Sequence, residues 1–427
     1  LAFPALIIRS KHFHIIVAVI NVFLRSLQLG QIRPIDLQAI ESGQEISLGL
    51  ESVADLPWKL RSDMLGCVEC KRCRDRCPAT ICGQGLNPSD FVLAGKRVLL
   101  EGKEKEPVIG TIISEQALGQ CTGCLACEQA CPVGVEHSAL LLGAKRAQTL
   151  SIGKGGVAFD FFKMIETAGN PFSAPIQARS ELIQQLDLPP FKEGKTQTVL
   201  WLGCIWGYNP DFRTVVKSML KILKRARVDF GVLEQEGCCG HHSRRQGEEV
   251  QFQSLAKQNI QLMKSAGVKR LITGCPHCVH TIRHEYPDLD PDFKVEVLHH
   301  SEIISSLIKE GMLKLITREG NATYHDPCFL GRFEGIFRAP RDSVRATGLK
   351  IVELGRSFSN SFCCGGGLAG FVIESKEPKR IDQERKDEIS RSGVDLLITA
   401  CPECKTMLSG AVGQTKDVAE LVADSVA

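Results

Sequence analysis

The sequence predicts an α+β multidomain chain: a mainly helical, cysteine-rich segment followed by two pseudo-symmetric α/β lobes. Three observations predict it. Residues 61–150 hold nine cysteines in helix-favouring surroundings. Residues 196–427 alternate short β-branched runs with helical stretches. Within that second region a five-cysteine pattern occurs twice, as Cys204, Cys238, Cys239, Cys275, Cys278 and as Cys328, Cys363, Cys364, Cys401, Cys404, at offsets of 124 to 126 residues. The flanks repeat too, "VKRLITGCPHC" against "VDLLITACPEC".

With 427 residues and 43% hydrophobic content the chain has room for two or three domains with real cores. The formal net charge of +3 gives no electrostatic reason to expect a nucleic acid partner. The 19 cysteines are an odd number in a long chain, which argues against a secreted disulfide framework. Thiolates used as metal ligands in a reduced compartment are expected instead.

In chain order, residues 1–35 run from apolar to basic. "LAFPALII" and "IIVAVI" are followed by Arg25 and Arg33, the way a last transmembrane helix leaves on the cytoplasmic side. A buried or interfacial helix is the other reading. Residue 1 is leucine, so a fragment or a processed chain is expected. Residues 36–60 read as a polar connector and 61–150 as the two-cluster domain. Residues 151–195 read as a linker with some helix. Residues 196–315 and 316–427 form the two lobes, with helices expected over 211–226, 248–266 and 379–392. Runs such as "TVLWLGC" and "RLITGC" read as buried strands that stop at a ligand, as sites do beyond the carboxyl ends of strands in α/β units.

"CVECKRCRDRCP" (67–78) and "CTGCLACEQACP" (121–132) are both C-x2-C-x2-C-x3-C-P, offset by 54 residues. This is the ligand run of two-cluster ferredoxins, in which the fourth cysteine serves the other cluster. Cys67, Cys70, Cys73 and Cys131 are therefore assigned to one 4Fe-4S cubane. Cys121, Cys124, Cys127 and Cys77 are assigned to the other, which makes the domain ferredoxin-like. Zinc favours paired C-x2-C knuckles and suits this run less well. Lys71, Arg72, Arg74 and Arg76 crowd the first run, where they either favour the reduced cluster or dock an acidic donor.

Each later repeat offers five cysteines, one more than a cubane or zinc needs. Adjacent thiolates on a glycine-rich turn can reach two irons of one open cluster, since glycine tolerates φ > 0. A zinc site with a spare thiol, or a redox-active dithiol, are the alternatives. Cys82 falls outside these sets and reads as a packed thiol. His241, His242 and His277 are candidate proton donors beside a reducible centre, or else surround it without reacting. His325 and Asp326 read as capping a strand-to-loop turn.

The pattern C…CCG…C-x-x-C, twice, resembles the cysteine-rich (CCG) domain pair of the catalytic subunit of heterodisulfide reductase. With the dicluster module upstream, residues 61–427 resemble its fused form. "SKHFHIIVAVINVFLRSL" looks like the exit of a haem-bearing, nitrate-reductase-gamma-like membrane domain. Such a domain is fused to these modules in bacterial iron–sulfur oxidoreductases linked to electron transfer flavoprotein. "WKLRSDMLGCVECKRCRDRCPA", "CPHC", "HDPCFLGRF" and "SFCCGGG" suit that group. The resemblance implies non-cubane 4Fe-4S clusters at one or both CCG sites, with zinc in one as the alternative. It also implies that His14 ligates haem b when the membrane domain is present. The electron donor would be electron transfer flavoprotein or a dehydrogenase, and the acceptor menaquinone or another quinone. The place would be the cytoplasmic face of the bacterial inner membrane.

Three functions follow. The first is electron transfer from a flavoprotein or dehydrogenase toward a quinone. The second is reduction of a disulfide at a CCG cluster. The third is a zinc-stapled binding module. No nucleotide fingerprint, catalytic triad or phosphate loop stands out, so no bound flavin or nicotinamide is expected.

Overall fold

The computed structural model describes residues 12–151, 159–367, 369–373, 375 and 377–427. It divides into two compact units. The first comprises residues up to Phe159 together with Arg245–Glu249 and Glu377–Lys379; the second comprises Asp160–Arg244, Val250–Lys376 and Arg380–Ala427.

Among the described residues the first unit carries helices and no sheet strand. Its core gathers Leu50, Val53, Leu56, Leu60, Met64, Phe91, Leu118 and Leu140. The segment expected as a polar connector therefore supplies four of these core side chains, Leu50, Val53, Leu56 and Leu60. The helix Phe13–Phe23 lays Val17, Ala18 and Asn21 against the unit. Asn21 Nδ2 donates to Val133 O at 2.8 Å, which pins the helix beside the loop after Cys131. The opposite face is apolar and bare: Val19 is 70% and Phe23 84% exposed. His14 lies half-buried on this helix. Among the described residues no helix is long and apolar enough to cross a membrane.

The second unit holds two four-stranded sheets. Strands β1 (Thr198–Leu200), β2 (Phe230–Gly231), β3 (Arg270–Thr273) and β4 (Glu296–His299) are ordered β2-β1-β3-β4. Strands β5 (Asn321–Tyr324), β6 (Lys350–Val352), β7 (Leu396–Thr399) and β8 (Gln414–Asp417) are ordered β6-β5-β7-β8. All six pairings are parallel. Parallel strands need crossover connections and covered faces, which explains their β-branched and aliphatic runs. The expected helices form at Arg213–Arg225, Glu249–Ser265 and Ile381–Ser390.

One core joins both sheets, from Leu200 and Ile272 of the first to Ile398 and Val418 at the second. Part of the segment expected as a linker belongs to this unit. Helices Phe159–Ala168 and Gln177–Gln185 form there, and Leu182, Ile183, Leu186 and Leu188 enter the shared core.

Candidate metal centres

In the first unit the two cysteine loops share one backbone form. Glu69 and Lys71 have φ of 59° and 61°; Gly123 and Leu125, 54 residues later, have 68° and 59°. Left-handed backbone is costly for Glu, Lys and Leu, so these loops are shaped for a purpose. Left-handed residues among ordinary ones turn backbone N–H groups into a concave nest, a form used at iron–sulfur sites. Each loop then enters a five-residue helix, Arg72–Arg76 or Ala126–Ala130.

The loops exchange their fourth cysteine. The thiols acting electrostatically on Cys73 are Cys67, Cys131 and Cys70. Those acting on Cys127 are Cys121, Cys77 and Cys124. Burial pushes the Cys73 and Cys77 thiols up to about 12. Thiols so placed become thiolates when a cationic centre offsets the desolvation, which suits them to a metal cluster. Cys82 is buried as well.

In the second unit every cysteine of the repeats lies in the stretch that follows the carboxyl end of a strand. Cys204 follows β1, Cys238 and Cys239 follow β2, and Cys275 and Cys278 follow β3. Cys328, Cys363 with Cys364, and Cys401 with Cys404 follow β5, β6 and β7. Since β2, β1 and β3 are neighbours, their three loops meet at one crevice, and the second sheet repeats this. The glycine closing each cysteine pair has positive φ, 79° at Gly240 and 84° at Gly365. This turn lets both thiols point into the same pocket. Backbone N–H groups point at the sulfurs: Gly240 N lies 3.5 Å from Cys238 Sγ, and Gly365 N 3.3 Å from Cys363 Sγ.

The five thiols of each repeat form a chain of contacts in the same order. Cys204 touches Cys238, which touches Cys239; Cys239 touches Cys278, which touches Cys275. Cys328 touches Cys363, then Cys364, Cys404 and Cys401. Cys278 and Cys239 sulfurs are 3.5 Å apart, and those of Cys404 and Cys364 3.3 Å. These are contacts between thiols, well beyond a disulfide bond. Without a metal the thiols compete for charge. The hydrogen bond from Cys278 brings Cys275 down to about 5, while hydrogen bonding to Cys239 and Cys275, added to burial, raises Cys278. Five sulfurs of this kind fit a multi-iron cluster better than a four-coordinate zinc.

The two thiol groups adjoin. His277 Nδ1 is 3.6 Å from Cys275 Sγ, and the same ring hydrogen-bonds Cys401 of the other group. Burial opposes the charge on His277, but the Glu403 carboxylate and the two thiols raise its pKa well above the usual value. His277 Nδ1 and Glu403 Oε1 are 3.1 Å apart, and His242 Nε2 lies 2.7 Å from the same oxygen. His241 is buried with Nδ1 3.0 Å from Thr281 Oγ1. Thus all three candidate histidines are inside the unit, two of them on one carboxylate.

Sequence reasoning did not single out Glu403. A signal existed: His277 and Glu403 occupy the same place in C-P-H-C and C-P-E-C. Opposite polarity at equivalent positions is what facing repeats need. It also missed two buried braces. Glu236 accepts from Leu202 N at 3.0 Å and pairs with Arg179, whose Nη1 donates to Gly203 O at 3.1 Å, fixing the Cys204 loop. Asp326 binds Arg341 at 2.5 and 2.8 Å and accepts from Phe358 N at 2.8 Å. So Asp326 does more than cap its own turn: it ties the Cys328 loop to the segment leading to Cys363. His325 Nδ1 accepts from Arg385 Nε at 3.2 Å.

Comparison with known proteins agrees with these centres. A 4Fe-4S dicluster domain matches residues 66–136, and a cysteine-rich CCG domain matches residues 198–283 and 322–409. The chain is 28% identical over 456 residues to "EtfAB:quinone oxidoreductase" of Syntrophomonas wolfei, covering 96% of this chain and 63% of that protein. It is 33% identical over 436 residues to a "Probable membrane-anchored ferredoxin" of Chromohalobacter salexigens, covering 92% and 64%. It is 30% identical over 397 residues to a component of the dihydromethanophenazine:CoB--CoM heterodisulfide reductase of Methanosarcina mazei, covering 84% and 93%. The chain spans less than two thirds of the length of the first two.

Proposed function

The chain belongs to the heterodisulfide reductase-related iron–sulfur family, with a 4Fe-4S dicluster domain and two CCG domains, and on that premise we propose that it carries electrons from a flavoprotein toward a membrane quinone. The observation that carries this reading is the gathering of eighteen cysteines into two four-thiol and two five-thiol groups. Cys67, Cys70, Cys73 and Cys131 would hold one cubane, and Cys121, Cys124, Cys127 and Cys77 the other. The two five-cysteine sets would hold non-cubane clusters. Bound clusters supply reversible one-electron storage at each place.

The chain's own residues supply the setting. The cysteines of the two repeats are buried or half-buried, and the Arg179–Glu236 and Arg341–Asp326 braces hold their ligand loops at fixed spacing. His277 would hold a proton at its ring between the two five-thiol groups, with His242 and Glu403 behind it. The matching strand orders and thiol chains support a pseudo-symmetric pair of lobes at 196–315 and 316–427, after a ferredoxin-like domain at 61–150.

A relative named for EtfAB and quinone motivates electron transfer flavoprotein as donor and a quinone as acceptor. Another named as membrane-anchored, with the bare apolar face of Phe13–Phe23, supports a place at a membrane, whose cytoplasmic face is the side we propose. His14 on that helix would then ligate haem b together with a membrane domain.

A second reading has its own observation. The two five-thiol groups adjoin across His277, and a relative is named for heterodisulfide reduction. In that reading a disulfide takes two electrons and two protons and leaves as two thiols.

The test is to mix the anaerobically purified full-length protein with reduced electron transfer flavoprotein and follow cluster absorbance and electron paramagnetic resonance. Reduction of the clusters is expected. Clusters that stay oxidised there, yet respond to a low-potential chemical reductant, rule the donor reading out. Thiol release from added disulfides by the reduced protein separates the second reading from the first.

A further inference from the structure

The two cysteine runs of the first unit share their spacing and backbone, so each is a control for the other. In the first run Cys70, Lys71, Arg72, Arg74 and Arg76 are all exposed. In the second run the equivalent residues are Cys124, Leu125, Ala126, Glu128 and Ala130, of which the first four are buried. The basic collar is therefore no requirement of the fold or of the ligand run, since the second run is built without it.

None of the collar's four cations forms an ion pair among the described residues. Glu69 beside it is engaged by Lys96 at 3.2 Å, leaving Asp75 as the one carboxylate within 71–76. Four exposed guanidinium and ammonium groups around an exposed thiol ligand are costly to a solitary surface through self-repulsion. They are useful where an oppositely charged surface must be brought within electron-transfer distance. An electrostatic match of this kind raises encounter rates, sets orientation and strengthens binding at low salt, where exposed charges are least screened.

We propose that Lys71, Arg72, Arg74 and Arg76 around Cys70 form a docking site for an acidic one-electron donor protein, which makes the first cysteine run the port by which electrons reach this chain. The inference rests on the electron-transfer reading above. Each encounter oxidises the donor by one electron and reduces the chain by one, with no proton or bond transferred. An anionic membrane surface is the rival occupant of a basic patch. The placement of the cations around a redox ligand, rather than along the apolar helix Phe13–Phe23, favours a protein.

The experiment measures binding of oxidised flavodoxin, an acidic flavin protein, to the cluster-loaded chain, a readout independent of turnover. Raising salt from about 0.05 to about 0.5 M should weaken binding at least about tenfold, because the exposed charges become screened. Arg72→Gln/Arg74→Gln/Arg76→Gln should weaken it about tenfold at low salt, with iron per chain unchanged. Lys105→Gln, an exposed cation elsewhere on the unit, should change it less than about twofold. If the triple variant loses iron, Arg74→Gln alone with the wild-type salt series decides. Salt-insensitive binding, or no binding, overturns the proposal. So does a variant that keeps flavodoxin but loses vesicles of phosphatidylcholine with phosphatidylglycerol. In those cases reduction of the wild type by methyl viologen leaves the electron-transfer reading standing. A chain without cluster iron would remove that reading itself.

Discussion

At Gly240 the backbone leaves the adjacent cysteines with φ of 79°, and a Cβ there would sit 2.9 Å from the Phe252 ring. Gly240→Ala therefore combines left-handed strain with a clash and should cost about 1–3 kcal/mol. The loss should fall on one site: about four irons fewer per chain, with the dicluster signals intact, by iron assay and electron paramagnetic resonance. Unchanged iron would show that the turn is dispensable. His137 gives a second prediction. It is buried edge-on to Phe91, with Nδ1 2.9 Å from Val135 O, and burial lowers its pKa to about 4. The unfolded chain binds its proton near pH 6.5, so this contribution is complete above 6.5 and is lost as pH falls toward 4, by about 3 kcal/mol. Melting temperatures of wild type should fall more steeply between those limits than those of His137→Gln; parallel curves would contradict the assignment. At this scale the cysteines were legible because spacing alone carries them. Glu403, Glu236 and Arg341 were not, because their partners lie 161, 57 and 15 residues away and single charged residues have no spacing to read.

The helix Phe13–Phe23 buries the polar side chain of Asn21. Asn21 is fully buried, donates to Val133 O and accepts from Ser62 Oγ at 3.3 Å. Asn21→Ala leaves that carbonyl without its donor at a cost of about 1–3 kcal/mol. Hydrogen exchange over residues 13–23 should accelerate while Trp58–Gly66 keeps its protection; equal acceleration of both would mean that the helix is integral to the core. Apolar periodicity made the helices of the second unit legible, along with strands such as β3 and β7 that read as "RLIT" and "LLIT". Strand β2 has two residues, too short for any pattern, and exists because β1 pairs with it. The helices at 159–168 and 177–185 were obscured by the intervening "GNPFSAP", which reads as loop. Their buried faces, Phe161, Phe162 and Ile165 and then Leu182 and Ile183, make them part of the second unit.

Across the whole chain, duplication explains most of what the sequence reveals. One duplication of 54 residues sets the two ferredoxin-type runs, and one of about 125 sets the two CCG lobes. What duplication hides is how the copies differ and meet: a basic collar in one run only, a His facing a Glu in C-P-x-C, and one hydrophobic core shared by both sheets. The central claim is that four groups of cysteines serve four iron–sulfur clusters. The most direct test is an anaerobic assay of iron, zinc and acid-labile sulfide per chain. About sixteen irons with matching sulfide and almost no zinc is the expected result. About eight irons with two zincs would make the CCG lobes structural and contradict it.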